Sequence, residues 1–204
     1  MNNQPFIYMN LRNNLVAVAL MSIMISCGVE KKDNAEETAV VEEEVVAEES
    51  ITQPMAMVEI SSASGSTMTG EATFIQNEDG AVTLELSVSG ATPGSHALHL
   101  HANGDCSAPD ATSAGGHWNP SEVDHGKRGE TEMFHAGDID NLEVGEDGTG
   151  QLKMIVEGWS VGGPDSSNVI GKAVIIHAAA DDFVSQPSGA AGPRQGCGVV
   201  VEKN

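Results

Sequence analysis

In His96-Ala97-Leu98-His99-Leu100-His101-Ala102-Asn103-Gly104-Asp105-Cys106, the residues Leu98 to His101 alternate aliphatic and imidazole side chains. A period of two belongs to a strand, whose successive side chains point to opposite faces. His99 and His101 therefore share one face and can grip one ion. Downstream come His117, His125, His135, Asp138 and His177, so six of the seven histidines lie between His99 and His177. Glycines flank several of them, in Gly115-Gly116-His117, His125-Gly126 and His135-Ala136-Gly137-Asp138. One histidine alone is ordinarily a surface or hydrogen-bonded core residue. Gathered this way they predict a metal site. Imidazole suits copper and zinc, and a hard aspartate added to histidines suits zinc.

Outward from this stretch the pattern stays β. Ala56–Ile60 and Gly70–Ile75 read as the first two strands, and Asn77-Glu78-Asp79-Gly80 as a turn. Val82, Leu84, Leu86 and Val88 alternate with Thr83, Glu85, Ser87 and Ser89, which marks a half-buried strand. Pro93-Gly94 turns the chain into the histidine strand. Residues 102–132 show no sustained period, and a loop this long in a compact domain is usually functional. Strand signal resumes at Leu142-Glu143-Val144, turns at Glu146-Asp147-Gly148 and returns over Gln151–Val156. Val169-Ile170 and Ala173–His177 form a further pair of apolar runs. A second irregular loop spans Ala180–Gln195, and Gly198–Val201 closes the chain as a last strand. About eight short strands, two long loops and no convincing helix predict an all-β sandwich or barrel. Aromatic residues are scarce, so aliphatic side chains must fill its core.

The amino terminus is of a different kind. Residues 1–26 hold no acidic side chain, and Arg12 precedes the apolar run Leu15–Ile25. A positive start, a short apolar core and a small residue before the cut describe an export signal, too short for a good membrane span. Translation could start at Met1 or at Met9. Ile25-Ser26-Cys27 resembles the lipobox of bacterial lipoproteins, which implies a lipid on Cys27, a membrane tether and a place in the bacterial cell envelope. Residues 28–54 carry nine acidic residues, two lysines and no aromatic. Such a tract buries too little apolar surface to offset the entropy of ordering, so it reads as a disordered tether. The folded domain is expected over residues 55–204.

With Cys27 used for the anchor, Cys106 and Cys197 remain, and an exported chain tends to pair them. The pair would close a loop of about ninety residues and stabilise by a few kcal/mol. Two buried free thiols are the alternative. The chain carries a formal charge of −21, and from Met55 onward six basic residues face 21 acidic ones. That balance gives no hint of a nucleic-acid partner. Between Ala173 and Val201 the only cation is Arg194. Nothing in the sequence separates a monomer from a homodimer.

Five blocks together resemble the bacterial-type copper/zinc superoxide dismutases: His96–Cys106, Ala114–Pro120, His135–Asp138, Ile176–Asp182 and Ala191–Gly198. The resemblance adds a Greek-key topology to the all-β reading. It implies copper ligands at His99, His101, His117 and His177, and zinc ligands at His117, His125, His135 and Asp138. One copper and one zinc per chain would then share His117. It further implies Asp181 as the carboxylate that links a copper histidine to a zinc histidine. Arg194 becomes the residue that attracts and orients the superoxide anion, His117 a proton carrier, and Cys106–Cys197 a disulfide. A copper- or zinc-buffering protein of the same fold without turnover is the alternative. Ala102, Trp118, Asp140, Ala179 and Pro193 depart from the family pattern, but none removes a ligand. His96 matches a family histidine that binds no metal.

Overall fold

The computed structural model describes residues 53–203. The expected export signal, Cys27 and nearly all of the acidic tether lie outside the described residues.

Three antiparallel strands come first: β1 (Met55–Ser62), β2 (Thr69–Gln76) and β3 (Val82–Ser89). Then follow β4 (Gly94–His96), β5 (Leu98–His101), β6 (Leu142–Val144), β7 (Gly150–Val156), β8 (Ala173–His177), β9 (Arg194–Val199) and β10 (Val201–Glu202). Their order across the sheet is β4-β6-β7-β3-β2-β1-β9-β8-β5, with β10 also paired to β1. β9 thus returns beside β1 after the β1-β2-β3 meander, which is a Greek key. The two ends of this order, β4 and β5, are consecutive stretches separated only by Ala97. The sheet must therefore curl until its ends meet, giving a nearly closed all-β barrel.

The alternation in β3 does what its period demands. Val82, Leu84, Leu86 and Val88 enter the main core, and Thr83 caps its face by exchanging hydrogen bonds with Asn77. That core is mainly aliphatic, with Phe74 and Trp159 packed at 5.8 Å between ring centroids. β5 is two-sided. Leu98 and Leu100 join the barrel core, each fully buried and each contributing roughly 2 kcal/mol. His99 and His101 are equally buried on the other face, beneath the loops.

Three details differ from the sequence reading. Gly94 is not a simple turn but opens the short strand β4, which pairs with β6. Val169-Ile170 forms no strand; these residues end a turn in which Asn168 bridges Ser160, and Val169 packs into the core. The final strand begins at Arg194 rather than Gly198, so the second loop is shorter than expected, and β9 and β10 are separated at Val200. The first loop holds one 3-10 turn, Thr112–Ala114.

Cys106 and Cys197 form a disulfide across 91 residues of chain. Around it a second, smaller core gathers Ala63, Ala111, Ala114, Ala173 and Ile175. This patch fastens the start of the first loop to β8 and β9.

Candidate metal centre

β5 is an edge strand, so one row of its backbone groups has no strand partner. The first loop supplies one. Trp118 N–H donates to Leu100 O at 2.8 Å, Leu100 N–H to Gly137 O at 2.8 Å, and Gly137 N–H to Trp118 O at 2.8 Å. Isolated bridges His101–His117 and His99–Asp138 result. Satisfying the backbone of one strand edge thereby carries His117 and Asp138, far apart in sequence, to the two histidines of β5. Gly137 is needed for this approach, because a Cβ there would lie 2.1 Å from Leu100 O. His177 arrives at the end of β8, the neighbour of β5.

Two clusters form. Ligand atoms of His99, His101, His117 and His177 all lie within 4.8 Å of one another, and so do those of His117, His125, His135 and Asp138. His117 belongs to both. The structure thus brings together every residue the sequence proposed for the two ligand sets.

The hydrogen bonds around the rings explain their aim. His101 Nδ1 donates to Gly115 O at 2.8 Å and His177 Nδ1 to Gly192 O at 3.1 Å. His135 Nε2 donates to Val123 O at 3.1 Å. His99 Nε2 and His125 Nε2 donate to the two oxygens of Asp181 at 2.7 and 2.9 Å. Each contact fixes a tautomer and leaves the other nitrogen's lone pair for a metal. His117 differs. Its Nδ1 lies 2.9 Å from Asp138 Oδ1 and 3.2 Å from His135 Nδ1, inside the second cluster. Its Nε2 is buried without a hydrogen-bond partner.

The same holds for His99 Nδ1, His101 Nε2 and His177 Nε2. His125 Nδ1 sits 3.0 Å from Asp138 Oδ2 but is aligned for no hydrogen bond. Buried polar atoms without partners are costly. These five all belong to the two clusters, and metal coordination would satisfy each of them. Four nitrogens suit copper, and three nitrogens with one carboxylate suit zinc.

Electrostatics separates the clusters. Burial, with neighbouring cationic groups adding to it, pushes His101 down to about 2, His117 to about 4 and His177 to about 3. Neutral imidazole, the ligating form, therefore dominates there at neutral pH. At His125 burial acts the same way, but the carboxylates of Asp138 and Asp181 outweigh it and raise the ring to about 9. Burial tends to raise both aspartates, yet hydrogen bonds from the histidines hold them well below the usual carboxylate range.

A cleft of about 600 Å³ opens onto His101, His117 and His177, with Arg194 in its wall. The Arg194 guanidinium is anchored by Ala111 O at 2.5 Å and by Gly115 O at 2.6 Å. Gly115 O is also the acceptor of His101, so the cation and a cluster histidine are registered on one carbonyl.

The family model described as copper/zinc superoxide dismutase matches residues 68–200. The chain belongs to the copper/zinc superoxide dismutase family. A superoxide dismutase [Cu-Zn] of Deinococcus radiodurans is 37% identical over 142 residues, covering 65% of this chain and 76% of that protein. Among solved structures, the clock protein EA4 is similar with a TM-score of 0.65 at 33% identity, covering 74% of this chain and 95% of EA4. A SOD-like protein from Bacillus subtilis gives a TM-score of 0.63 at 34% identity, covering 70% of this chain and 96% of that one. Copper and zinc are the cofactors of this family, and the two clusters offer donors that fit both.

Some residues that shape the centre carry no signal in the sequence. Gln186 exchanges two hydrogen bonds with the backbone of His125, both at 2.9 Å. Asn141 does the same to Asp181, at 3.0 and 2.8 Å. Arg128 lies under the His135–Asp138 turn. A polar side chain in a long irregular loop is ordinary, and only the folded arrangement distinguishes these three.

Proposed function

We propose that this chain disproportionates superoxide, converting two superoxide anions and two protons to O2 and H2O2. In this reading His99, His101, His117 and His177 hold copper, and His117, His125, His135 and Asp138 hold zinc. His117 is shared between them. Copper supplies a one-electron redox couple, which zinc with its single oxidation state lacks. The observation that carries the reading is the division of His117. It belongs to both clusters, with Nδ1 beside Asp138 and His135 and Nε2 buried without a hydrogen-bond partner, and it spends neither nitrogen on a backbone carbonyl, unlike His101, His135 and His177.

The residues of the chain do the rest. Arg194 provides the local positive charge on a domain that is otherwise strongly acidic, drawing the anion into the cleft and orienting it there. His117 lines that cleft and in this reading hands over one of the two protons. Asp181 holds the His99 and His125 rings at fixed angles, one carboxylate oxygen on each.

The amino terminus extends the proposal. Cleavage before Cys27, lipidation of its thiol and tethering through the acidic segment would place the domain in the cell envelope. The Cys106–Cys197 disulfide supports export, since such bonds persist in oxidising compartments.

The test compares dismutation by protein loaded with copper and zinc against protein loaded with zinc alone. The expected result is a fast rate that depends on copper, with the visible absorption of copper in a nitrogen environment. A rate no better than buffer, with copper shown to be bound, would replace this reading with a metal-buffering protein of the same fold.

A further inference from the structure

The turn His135-Ala136-Gly137-Asp138 supplies two of the four residues of the zinc cluster. Its four carbonyls can be accounted for one by one. Gly137 O accepts from Leu100 N–H at 2.8 Å and so belongs to the β5 edge. The other three converge on a single side chain from outside the cluster. Arg128 Nε donates to Asp138 O at 3.0 Å, and Arg128 Nη2 donates to Ala136 O at 2.5 Å and to His135 O at 3.3 Å. Trp159 Nε1 adds a second donor to Ala136 O at 2.7 Å. The guanidinium is stacked as well, with its carbon 4.7 Å from the centre of the Phe134 ring and 5.4 Å from that of Trp159.

We infer that Arg128 is the positioning residue of the zinc cluster. Its planar fork gathers the carbonyls of the His135–Asp138 turn so that His135 Nδ1 and Asp138 Oδ1 face the metal before it binds. This inference rests on the zinc assignment proposed above.

Three physical points support it. Three carbonyls share one guanidinium through two of its nitrogens, which suits a rigid planar fork and not a point donor. A cation close to a cation site is unfavourable by itself. Here the negative charges of Asp138 and Asp140 act on the same guanidinium and offset part of that repulsion. Third, the stacking of Arg128 between two rings limits its rotamers, so little freedom is lost when it makes its hydrogen bonds. No other described basic side chain donates to this turn.

The test uses the purified protein with its metals removed. Zinc affinity is measured by chelator competition, and the melting temperature of the metal-free form is measured alongside. Arg128→Lys keeps the charge but loses the fork. Arg128→Gln loses the charge and keeps one donor group. Both are expected to bind zinc about 10–100-fold more weakly, the usual effect of removing a supporting group behind a ligand. Cobalt(II) placed in the same cluster should show a shifted visible spectrum in both variants, reporting altered ligand angles. Metal-free melting temperatures should fall much less than the metal-loaded ones.

Three results would overturn the inference. Zinc affinity in both variants within about twofold of the parent, with an unshifted cobalt spectrum, would make Arg128 a packing residue. Equal losses of melting temperature with and without metal would do the same. A Lys variant indistinguishable from the parent would show that charge alone suffices and the fork does not position the turn. Failure of the zinc assignment itself reads differently: the parent protein would then show no zinc-specific competition curve at all.

Discussion

Gly189 passes so close to the carboxylate linking the two clusters that a single methyl group should disconnect them. A Cβ built there would lie 1.7 Å from Asp181 Oδ1, 2.5 Å from its Cγ and 2.9 Å from His125 Nε2. Asp181 cannot step aside cheaply. Its Oδ1 accepts from His125 Nε2 at 2.9 Å and from Phe183 N–H at 2.6 Å, and its Oδ2 accepts from His99 Nε2 at 2.7 Å. Gly189→Ala therefore has two separable effects. Gly189 has a φ of +64°, a left-handed conformation in which a non-glycine residue costs about 1–2 kcal/mol whether or not metal is bound. Displacing the carboxylate should weaken metal binding about 10–100-fold, as loss of a supporting group behind a ligand does. Gly158→Ala isolates the first effect, because Gly158 has a φ of +81° and nothing within 4 Å of its Cβ position. Competition titrations of copper and zinc, with melting curves of the metal-free proteins, measure both. Gly158→Ala should lose only the backbone cost, Gly189→Ala should lose more metal-free stability because moving Asp181 also breaks its hydrogen bonds, and only Gly189→Ala should lose metal affinity. If the two variants bind metals equally well, the reasoning about Asp181 is refuted.

Arg194→Ala should lower the dismutation rate at least about tenfold while both metals stay bound; this family is itself a standard example of such charge focusing. Metal analysis together with the rate checks it, and an unchanged rate would refute the role. The metal-free protein should be most stable near pH 6.5. Below that value the unfolded histidines take up protons while His117, His177 and His101 resist them down to about 4, 3 and 2, so stability is lost as pH falls. Above it, the unfolded histidines lose their protons while His125 keeps its own up to about 9, so stability is lost again as pH rises. Urea unfolding of the stripped protein across pH 3–10 would show a flat or monotonic profile if this is wrong. Replacing both Cys106 and Cys197 by Ala should destabilise the domain by about 4–5 kcal/mol, given the 91-residue separation. A loss under about 1 kcal/mol in the same assay would show that the small core around the bond suffices without it.

The parts of this molecule that could be read in advance are those with local periodicity or distinctive chemistry. The alternation at Val82–Val88 and at Leu98–His101 gave strands because every second side chain is buried on the same face. The ligands could be read because histidine and aspartate at these spacings have few other uses. Val169-Ile170 could be read only as an apolar run because two residues satisfy a strand and a buried turn equally; here Val169 N–H donates to Ser160 O and Val169 O accepts from Lys172 N–H. Gly94–His96 was invisible as a strand, and the break at Val200 that separates β10 from β9 could not be read, because two or three residues carry no period; their pairing with β6 and β1 is decided by tertiary context. Arg128, Gln186, Asn141 and Gly189 act through backbone carbonyls and close approach. No residue type signals such contacts, so only the fold could reveal them.

The central claim is that His117 is shared by two metals, and magnetic coupling tests it most directly. Copper(II) would be placed in the His99, His101, His117 and His177 cluster and cobalt(II) in the cluster with Asp138. Electron paramagnetic resonance would then be recorded with both metals shown to be bound. A common imidazolate couples the two spins, and the copper signal should be strongly quenched relative to the copper–zinc form. A copper spectrum of full intensity, unchanged by cobalt, would mean that His117 does not join the two ions.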